Sequence, residues 1–462
     1  MADIRDIPGN PGRVETLHRQ VSYNRYAIVV VSSYWRCTSR DTCSARAVTS
    51  RVTSQDDTVT LITSREHTHP PTTDTVIRRE AIGSLKRRLD DDPLLPVRSA
   101  YDNENAANRR DGKPVLPTFS SVDTILKRHK STKLPALPHS RADVEITGDW
   151  AMTVDGRRLL LLTGDADMVV FATDDNLRAL SAATTIYVDG TFKSCPSLYA
   201  QLYTVHALVD CQVVPLVYAL LANRQRTTYY ALYEILRRAI ANLGLIWDPQ
   251  YIVTDFETAS IEALRQHFAQ ARQVGCFFHF CSALWRRVQD LGLSGLYKTD
   301  DDFRLHIQSH MAVAFLPVSC VSDMVGRLHT EYADNDAVVA FHLYFSNTWL
   351  DGMFPVALWN QYGTDSQMRT NNYVESWHAR FNRVVRGAHP NLYMFIAHIK
   401  REECTVSTTL AQLRRGCAPS KRRAKYDAVD RRLKQAHDEY VRGDIDAQLL
   451  LRRIRHVMHV FH

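Results

Sequence analysis

"TTIYVDGTFK", Thr184–Lys193, opens with an apolar run, Ile186-Tyr187-Val188, that stops at a carboxylate. β-Branched and aromatic residues in such a run predict a strand, and the Asp189-Gly190 step after it is turn chemistry. Two more β-type runs follow, "YAQLYTVHALV" (199–209) and "VVPLVYALLA" (213–222), with connections short enough for hairpins. The period then changes. "TTYYALYEILRRAIANLG" (227–244) repeats its apolar residues at helical spacing, "YIVTD" (251–255) reads as a buried strand, and "ETASIEALRQHFA" (257–269) as a helix. "VGCFFHF" (274–280) reads as another strand and "SALWRRVQDLG" (282–292) as another helix. Upstream, "RRLLLLTG" (157–164) and "MVVFAT" (168–173) read as short strands ahead of a helix at "DDNLRALSAA" (174–183).

Three antiparallel strands followed by alternating helices and strands is the element order of an α/β RNase H-like core, a mixed sheet with helices on its faces. This core is expected over 145–400, with an all-α insertion at about 300–362 that ends in "YFSNTWLDGMFPVALW" (344–359). Residues 1–72 are expected to hold a small all-β domain, from the runs "YAIVVVSSYWRC" (26–37), "SARAVTSRV" (44–52) and "DTVTLITSREHTH" (57–69). Residues 73–144 read as a basic helical linker, two helices at "IRREAIGSLKRRLDDDP" (77–93) and "SSVDTILKRHK" (120–130) around a loop at "SAYDNENAANRRDGKP" (99–114). Residues 401–462 read as a basic helical tail.

At 462 residues and 45% apolar content the chain can bury more than one core. The net charge of +7 is concentrated: Arg380 to His462 carries 18 Lys or Arg against 8 Asp or Glu, so the remainder is slightly acidic. A polyanion such as a phosphate backbone suits that segment, as does a plain solvated helical face. Its runs "KRRAK" (421–425), "RRLK" (431–434) and "RRIR" (452–455) sit among sparse apolar residues and are expected to be solvated. Nine scattered cysteines with no charged-then-apolar leader argue against a secreted disulfide framework and for a reducing compartment. No apolar run approaches the ~18 residues of a membrane span.

Asp189 and Asp255 both end predicted strands and can be neighbours if those strands are adjacent. Taken singly, the first is explained by a turn and the second by a helix N-cap. The stretch "RTNNYVESWHARFN" (369–382) supplies a third carboxylate. Asn372 as N-cap and Glu375 at N3 would form a capping box, but that leaves Trp377, His378 and Asn382 without a reason. His378 and Asn382 fall on the same helical face as Glu375. Three carboxylates of this kind are the hard oxygen donors that Mg²⁺ prefers. Lys193, Arg369 and Arg380 lie near these motifs and are candidate phosphate contacts, with surface solubility as the plain alternative. Cys276 and His279 form either a zinc half-site, with Cys281, or a buried pair serving structure or substrate positioning; two ligands fall short of a closed zinc site.

"VDGTFKSCP" (188–196), "IVTDFETASIEAL" (252–264), "GCFFHFCSALWRRV" (275–288) and "RTNNYVESWHARFN", in this order, resemble the core of the Mutator-like element (MULE) transposases, a DDE-type family on the RNase H fold. The resemblance implies Asp189, Asp255 and Glu375 as the catalytic carboxylates, 66 and then 120 residues apart, and Cys276 and His279 as the family's Cys-x-x-His pair. It implies a two-metal mechanism with Mg²⁺ or Mn²⁺: a DNA strand is cleaved, and the freed 3′-OH is transferred to a target strand.

A second constellation is Cys37, Cys43, His67 and His69, with Trp35 two residues before the first cysteine. Two Cys on a hairpin and a His-x-His on a following strand can converge on tetrahedral Zn²⁺ and staple a domain too small to rely on its core. "YWRCTSRDTCSARAVTS" (34–50) followed by "HTHPP" (67–71) resembles the FLYWCH zinc finger, with ligand spacing also similar to WRKY zinc domains. Together the resemblances imply a transposase that binds terminal inverted repeats and target DNA, forms a homo-oligomer on DNA and works in the nucleus. The alternative is a domesticated, catalytically silent DNA-binding regulator descended from one.

Overall fold

A computed structural model of the chain describes residues 14–23, 29–37, 43–52, 59–66, 68, 73–165, 167–369, 371–385, 387–418 and 424–458; of these, only the backbone is described within 14–37, 49–64, 73–76, 163–165 and 424–426. The chain divides into two compact units, 1–135 and 136–462.

In the first unit, β1 (Val14–Tyr23), β2 (Val29–Cys37), β3 (Arg46–Val52) and β4 (Val59–Ser64) form an antiparallel sheet in sequence order. β1 is a strand the sequence reading did not assign. Three helices follow, α1 (Thr73–Asp91), α2 (Val97–Arg110) and α3 (Phe119–Thr132). The polar stretch expected as a loop is therefore largely the helix α2. Pro96 sits at its N-cap, where a missing N–H costs nothing, and Ala100, Tyr101 and Glu104 turn one face inward. Arg88 and Ser84 of α1 both hold Glu104, so a residue that looks like loop polarity is a buried tie between helices.

The second unit holds a seven-stranded mixed sheet. Its strands are β5 (Leu160–Asp165), β6 (Met168–Phe171), β7 (Thr185–Thr191), β8 (Gln201–Val209), β9 (Gln212–Leu221), β10 (Tyr251–Thr254) and β11 (Arg272–Gly275), in the spatial order β11-β10-β7-β8-β9-β6-β5. β8 and β9 are joined by Asp210-Cys211, both at positive φ (44° and 65°), the backbone that a two-residue hairpin demands. Pro215 of β9 lies where the β8–β9 register shifts, as a residue without an N–H must. α4 (Asp174–Ala182), α5 (Arg226–Asn242) and α6 (Thr258–His267) contribute to the larger sheet core, which includes Val188, Val205, Leu232, Leu236 and Leu264.

The expected strand "VGCFFHF" ends early. β11 stops at Gly275, and α7 (Phe277–Asp290) begins two residues later. Phe277, Phe280, Leu284 and Val288 are all buried, and their spacing is helical once the continuation is counted with the run. The helical region continues as α8 (Ser294–Thr299), α9 (Asp301–Ala312), α10 (Val318–Leu328), α11 (Asp336–Phe345) and α12 (Val356–Trp359), with its own aromatic core around Phe280, Phe345, Trp349 and Trp359. Then come α13 (Asn372–Val385), α14 (Leu392–Arg414), α15 (Ala424–Val441) and α16 (Ala447–Arg455).

The tail departs from expectation. α14 runs unbroken through the expected 400/401 boundary, and its Val406, Leu410 and Leu413 join the sheet core. Val429, Leu433, Leu450, Leu451 and Ile454 are buried in the core of the helical region, where α16 packs on α9. Apolar residues that look sparse in a charged sequence fall on one face of each helix, so the segment is integral and not a solvated arm.

Candidate active site

Alternation along the parallel strands sets the site. Tyr187 on β7 and Val253 on β10 are in register, and with Val274 on β11 and Val374 on α13 they form a small buried cluster. Two residues further on come Asp189, still within β7 and on the face of Tyr187, and Asp255 and Cys276, each one residue past the end of its strand. The apolar row is a floor that seats α13; the row beyond it carries the two aspartates and Cys276. Val374, Trp377, His378 and Phe381 form the inward face of α13, and with Val374 seated on the floor its neighbour Glu375 comes beside Asp189. Trp377 stacks on Phe381 at 4.8 Å and donates from Nε1 to Glu402 at 2.7 Å, which explains its presence as an orientation device for the helix.

Asp189, His279 and Glu375 each present a ligand-type atom, all lying within 4.8 Å of one another. His279 Nε2 is 3.1 Å from Glu375 Oε1. Asp189 is 4% exposed; Oδ1 accepts from the Gly190 amide at 2.8 Å, and Oδ2 from Asn371 Nδ2 at 3.0 Å. His378 Nδ1 stands 3.6 Å from Asp189 Oδ2, and its Nε2 is 3.3 Å from the Thr204 hydroxyl, which also meets His206 Nε2 at 3.0 Å. Asp255 Oδ1 accepts from the Glu257 amide at 3.2 Å, and Glu257 in turn pairs with Arg224 at 2.7 Å.

Burial pushes the Asp189 carboxyl well above the usual carboxylate range; Asp255 and Glu375 add to the rise, and His279 opposes it. Asp255 is also raised by burial, against His279. Glu375 is held below its ordinary value by the hydrogen bond from His279. Burial works against charge on His279, yet its hydrogen bonds to Cys276 and Glu375 and the nearby Asp189 push it up to about 11. His378 is pushed down to about 4 by burial. The cluster sets one buried carboxyl, Asp189, and two half-buried ones, Asp255 and Glu375, about the His279 ring.

Asn371 is the residue that sequence reasoning passed over. The first helical hydrogen bond runs from the Glu375 amide to the Asn371 carbonyl at 2.9 Å, which makes Asn371, not Asn372, the N-cap. Its side chain is turned to Asp189, and its Oδ1 has no hydrogen-bond partner among the described residues. The Asn371 amide donates to Cys276 Sγ at 3.1 Å, so Cys276 ties the start of α13 to the start of α7. The doubled asparagine was the available signal: one cap needs only one of them.

The three candidate phosphate contacts are placed differently. Lys193 is exposed two residues past β7. Arg369 is 13% exposed, pairs with Asp430 at 3.0 Å and donates from Nε to the Thr364 carbonyl at 3.0 Å, so its guanidinium is committed to the fold. Arg380 pairs with Glu402 while remaining about half exposed at 47%.

In the first unit, Cys37 ends β2, and Cys43, buried, lies three residues before β3. The Arg65 amide donates to the Arg46 carbonyl at 2.8 Å, so the chain leaving β4 passes the same end of the sheet. The Cys37 side chain, His67 and His69 lie outside the described residues.

Residues 185–283 match the family model of the MULE transposase domain, and residues 7–69 match that of the FLYWCH zinc finger domain. Both agree with the resemblance carried by the sequence motifs, and the second selects FLYWCH over the WRKY type. No curated protein matches the chain. Among the described residues no helix is long and apolar enough to cross a membrane.

Proposed function

We propose that the chain is a DNA transposase of the MULE type: its second unit, an RNase H-like core, cleaves and transfers DNA strands with Mg²⁺ or Mn²⁺, and its Zn²⁺-stapled finger binds the element's terminal repeats in the nucleus. The observation that carries the reading is the meeting of Asp189 on β7, His279 on α7 and Glu375 on α13 within 4.8 Å, with Asp255, just past the end of the neighbouring strand β10, close enough to Asp189 to raise its carboxyl. Three carboxylates, of which Asp189 is buried and both Asp189 and Asp255 are held above their ordinary range, suit a hard divalent cation with oxygen ligands. Asp189, Asp255 and Glu375 would hold it, and when bound it supplies an activated water and neutralises charge on the phosphodiester.

The other residues are given roles by their contacts. The Gly190 amide and Asn371 Nδ2 each hold one oxygen of Asp189 and so fix the carboxylate plane. His279 holds Glu375 by a 3.1 Å contact and favours its ionised form. His378, neutral, buttresses Asp189 from the Thr204–His206 side. Lys193 is the candidate for a phosphate of the bound strand. Cys37, Cys43, His67 and His69 are the proposed zinc ligands, and double-stranded DNA bound by a homo-oligomer is the proposed assembly.

The full chain should nick duplexes carrying the inverted repeats that flank its coding region, in Mg²⁺ or Mn²⁺. Asp189→Ala, Asp255→Ala and Glu375→Ala should each abolish nicking while DNA binding persists. Nicking that survives in Glu375→Ala removes the third ligand from the site. A wild-type protein that binds but never cuts is the silent regulator.

A further inference from the structure

The helical region holds a second cluster of ligand-type side chains, far in sequence from the finger and not shared with the carboxylate site. His306 and His310 lie one turn apart on α9, and His342 comes from α11; all three are buried, at 2%, 0% and 5% exposure. One ring nitrogen from each falls within 4.8 Å of the others, and the His306 and His342 Nε2 atoms are 2.9 Å apart. Tetrahedral coordination places neighbouring imidazole nitrogens at about 3.3 Å, so only a small adjustment separates this arrangement from a ligand triad.

Hydrogen bonds at the back of two rings set their tautomers. His306 Nδ1 meets Glu331 Oε2 at 2.9 Å, and His310 Nδ1 donates to the His306 carbonyl at 3.0 Å. Each therefore turns an Nε2 lone pair inward, the orientation that carboxylate and carbonyl partners give to metal-bound histidines. His310 Nε2 is buried and has no hydrogen-bond partner among the described residues, and the same is true of His329 Nε2. The His329 ring stacks on His342 at 4.3 Å, and Phe341 and Phe345 pack edge-on against His310 at 5.1 and 5.2 Å. The rings around His310, imidazoles of His306, His329 and His342 besides the two phenyls, leave its Nε2 without a hydrogen bond among the described residues, and a buried acceptor left unmade is costly.

We propose that His306, His310 and His342 bind a zinc ion inside the helical region, with Glu331 holding His306 from behind. An all-imidazole donor set suits a borderline transition ion and is a poor site for Mg²⁺, which sets it apart from the three carboxylates. The sequence His306-Ile-Gln-Ser-His310 has the one-turn spacing of a metal-binding helix but no carboxylate between its histidines to act as a base, so the role is structural. The ion joins α9, the α10–α11 connection and α11. Through α9 it braces the surface that receives α16.

The test uses the full chain. Zinc retained after dialysis against a weak chelator is counted for wild type, His310→Ala and His342→Asn, the last keeping a polar group beside His306. Both variants should retain about one equivalent less than wild type and unfold at lower temperature. Stripped wild-type protein reloaded with Co²⁺ should show a thiolate charge-transfer band from the finger and separate imidazole-type visible bands, and only the latter should disappear in His342→Asn. Equal zinc content and identical cobalt spectra in wild type and His342→Asn would overturn the proposal and leave a set of core histidines. If neither variant folds, Co²⁺ uptake by a protein carrying Cys37→Ser, Cys43→Ser, His67→Ala and His69→Ala together decides: imidazole-type bands without a thiolate band support the site, and no uptake overturns it. None of these readouts depends on DNA cleavage.

Discussion

Asn371 performs two tasks that the sequence shows as one. Its backbone starts α13 while its side chain holds Asp189 Oδ2 at 3.0 Å, leaving the helix without the side-chain cap that an asparagine ordinarily supplies. Stability is thereby exchanged for a fixed carboxylate. On the proposed function, Asn371→Ala should leave the chain folded and lower Mg²⁺-dependent cleavage by about 10- to 100-fold, with a raised requirement for metal, because outer-shell partners act through the ligand they orient. A metal titration of the nicking rate checks it. An unchanged rate at limiting Mg²⁺ would mean that Asp189 needs no such support. Arg369 shows the opposite error: a basic residue beside a motif looks available to phosphate, yet it is bound to Asp430 and a backbone carbonyl.

At the scale of elements, the site depends on a close contact where β11 ends. A Cβ at Gly275 would lie 2.6 Å from the Phe256 ring and 3.2 Å from the Leu358 carbonyl oxygen. Phe256 cannot easily yield, since it is packed edge-on between Trp349 and Phe354 at 4.8 and 5.1 Å. Phe256 also follows Asp255 directly. Gly275→Ala should therefore destabilise the second unit by about 1–3 kcal/mol and displace Asp255, cutting cleavage more deeply than DNA binding. Thermal unfolding and nicking measured on the same preparation test this. Full cleavage with an unchanged melting temperature would show that the aromatic cluster adjusts freely.

For the whole molecule, the question is what the basic C-terminal segment does. Its charge invites a reading as a phosphate-tracking arm, but Leu433, Leu450, Leu451 and Ile454 fill the same core as Phe303 and Ile307 of α9. Deleting residues 418–462 should expose that core, so loss of cooperative unfolding and aggregation on size-exclusion chromatography are expected before any change in salt dependence can be read. A truncated chain that melts like the full one, but binds DNA with a flattened salt slope, would restore the arm. Basic side chains on the outer faces of α15 and α16 remain compatible with a DNA surface on a folded scaffold.

Local pattern alone determined the elements whose burial matches their period. β7, β8 and β9 are buried along nearly their whole length, and alternation or continuous apolarity announces such strands. The motifs drew attention to Asp189, Asp255 and Glu375 as candidates, and the structure places Asp189 and Glu375, 186 residues apart, in one cluster with His279. Tertiary structure decided what depends on neighbours distant in sequence. α2 looked like loop because its buried Glu104 is satisfied by α1, and "CFFHF" looked like strand because a fully apolar run is ambiguous until its far face finds α9–α12. Whether Arg369 is a ligand or a tie, and whether Asn371 is a cap or a carboxylate holder, was settled by Asp430, 61 residues away, and by Asp189, 182 residues away. A polar side chain takes whichever partner folding brings within about 3 Å, and no window of sequence contains that partner.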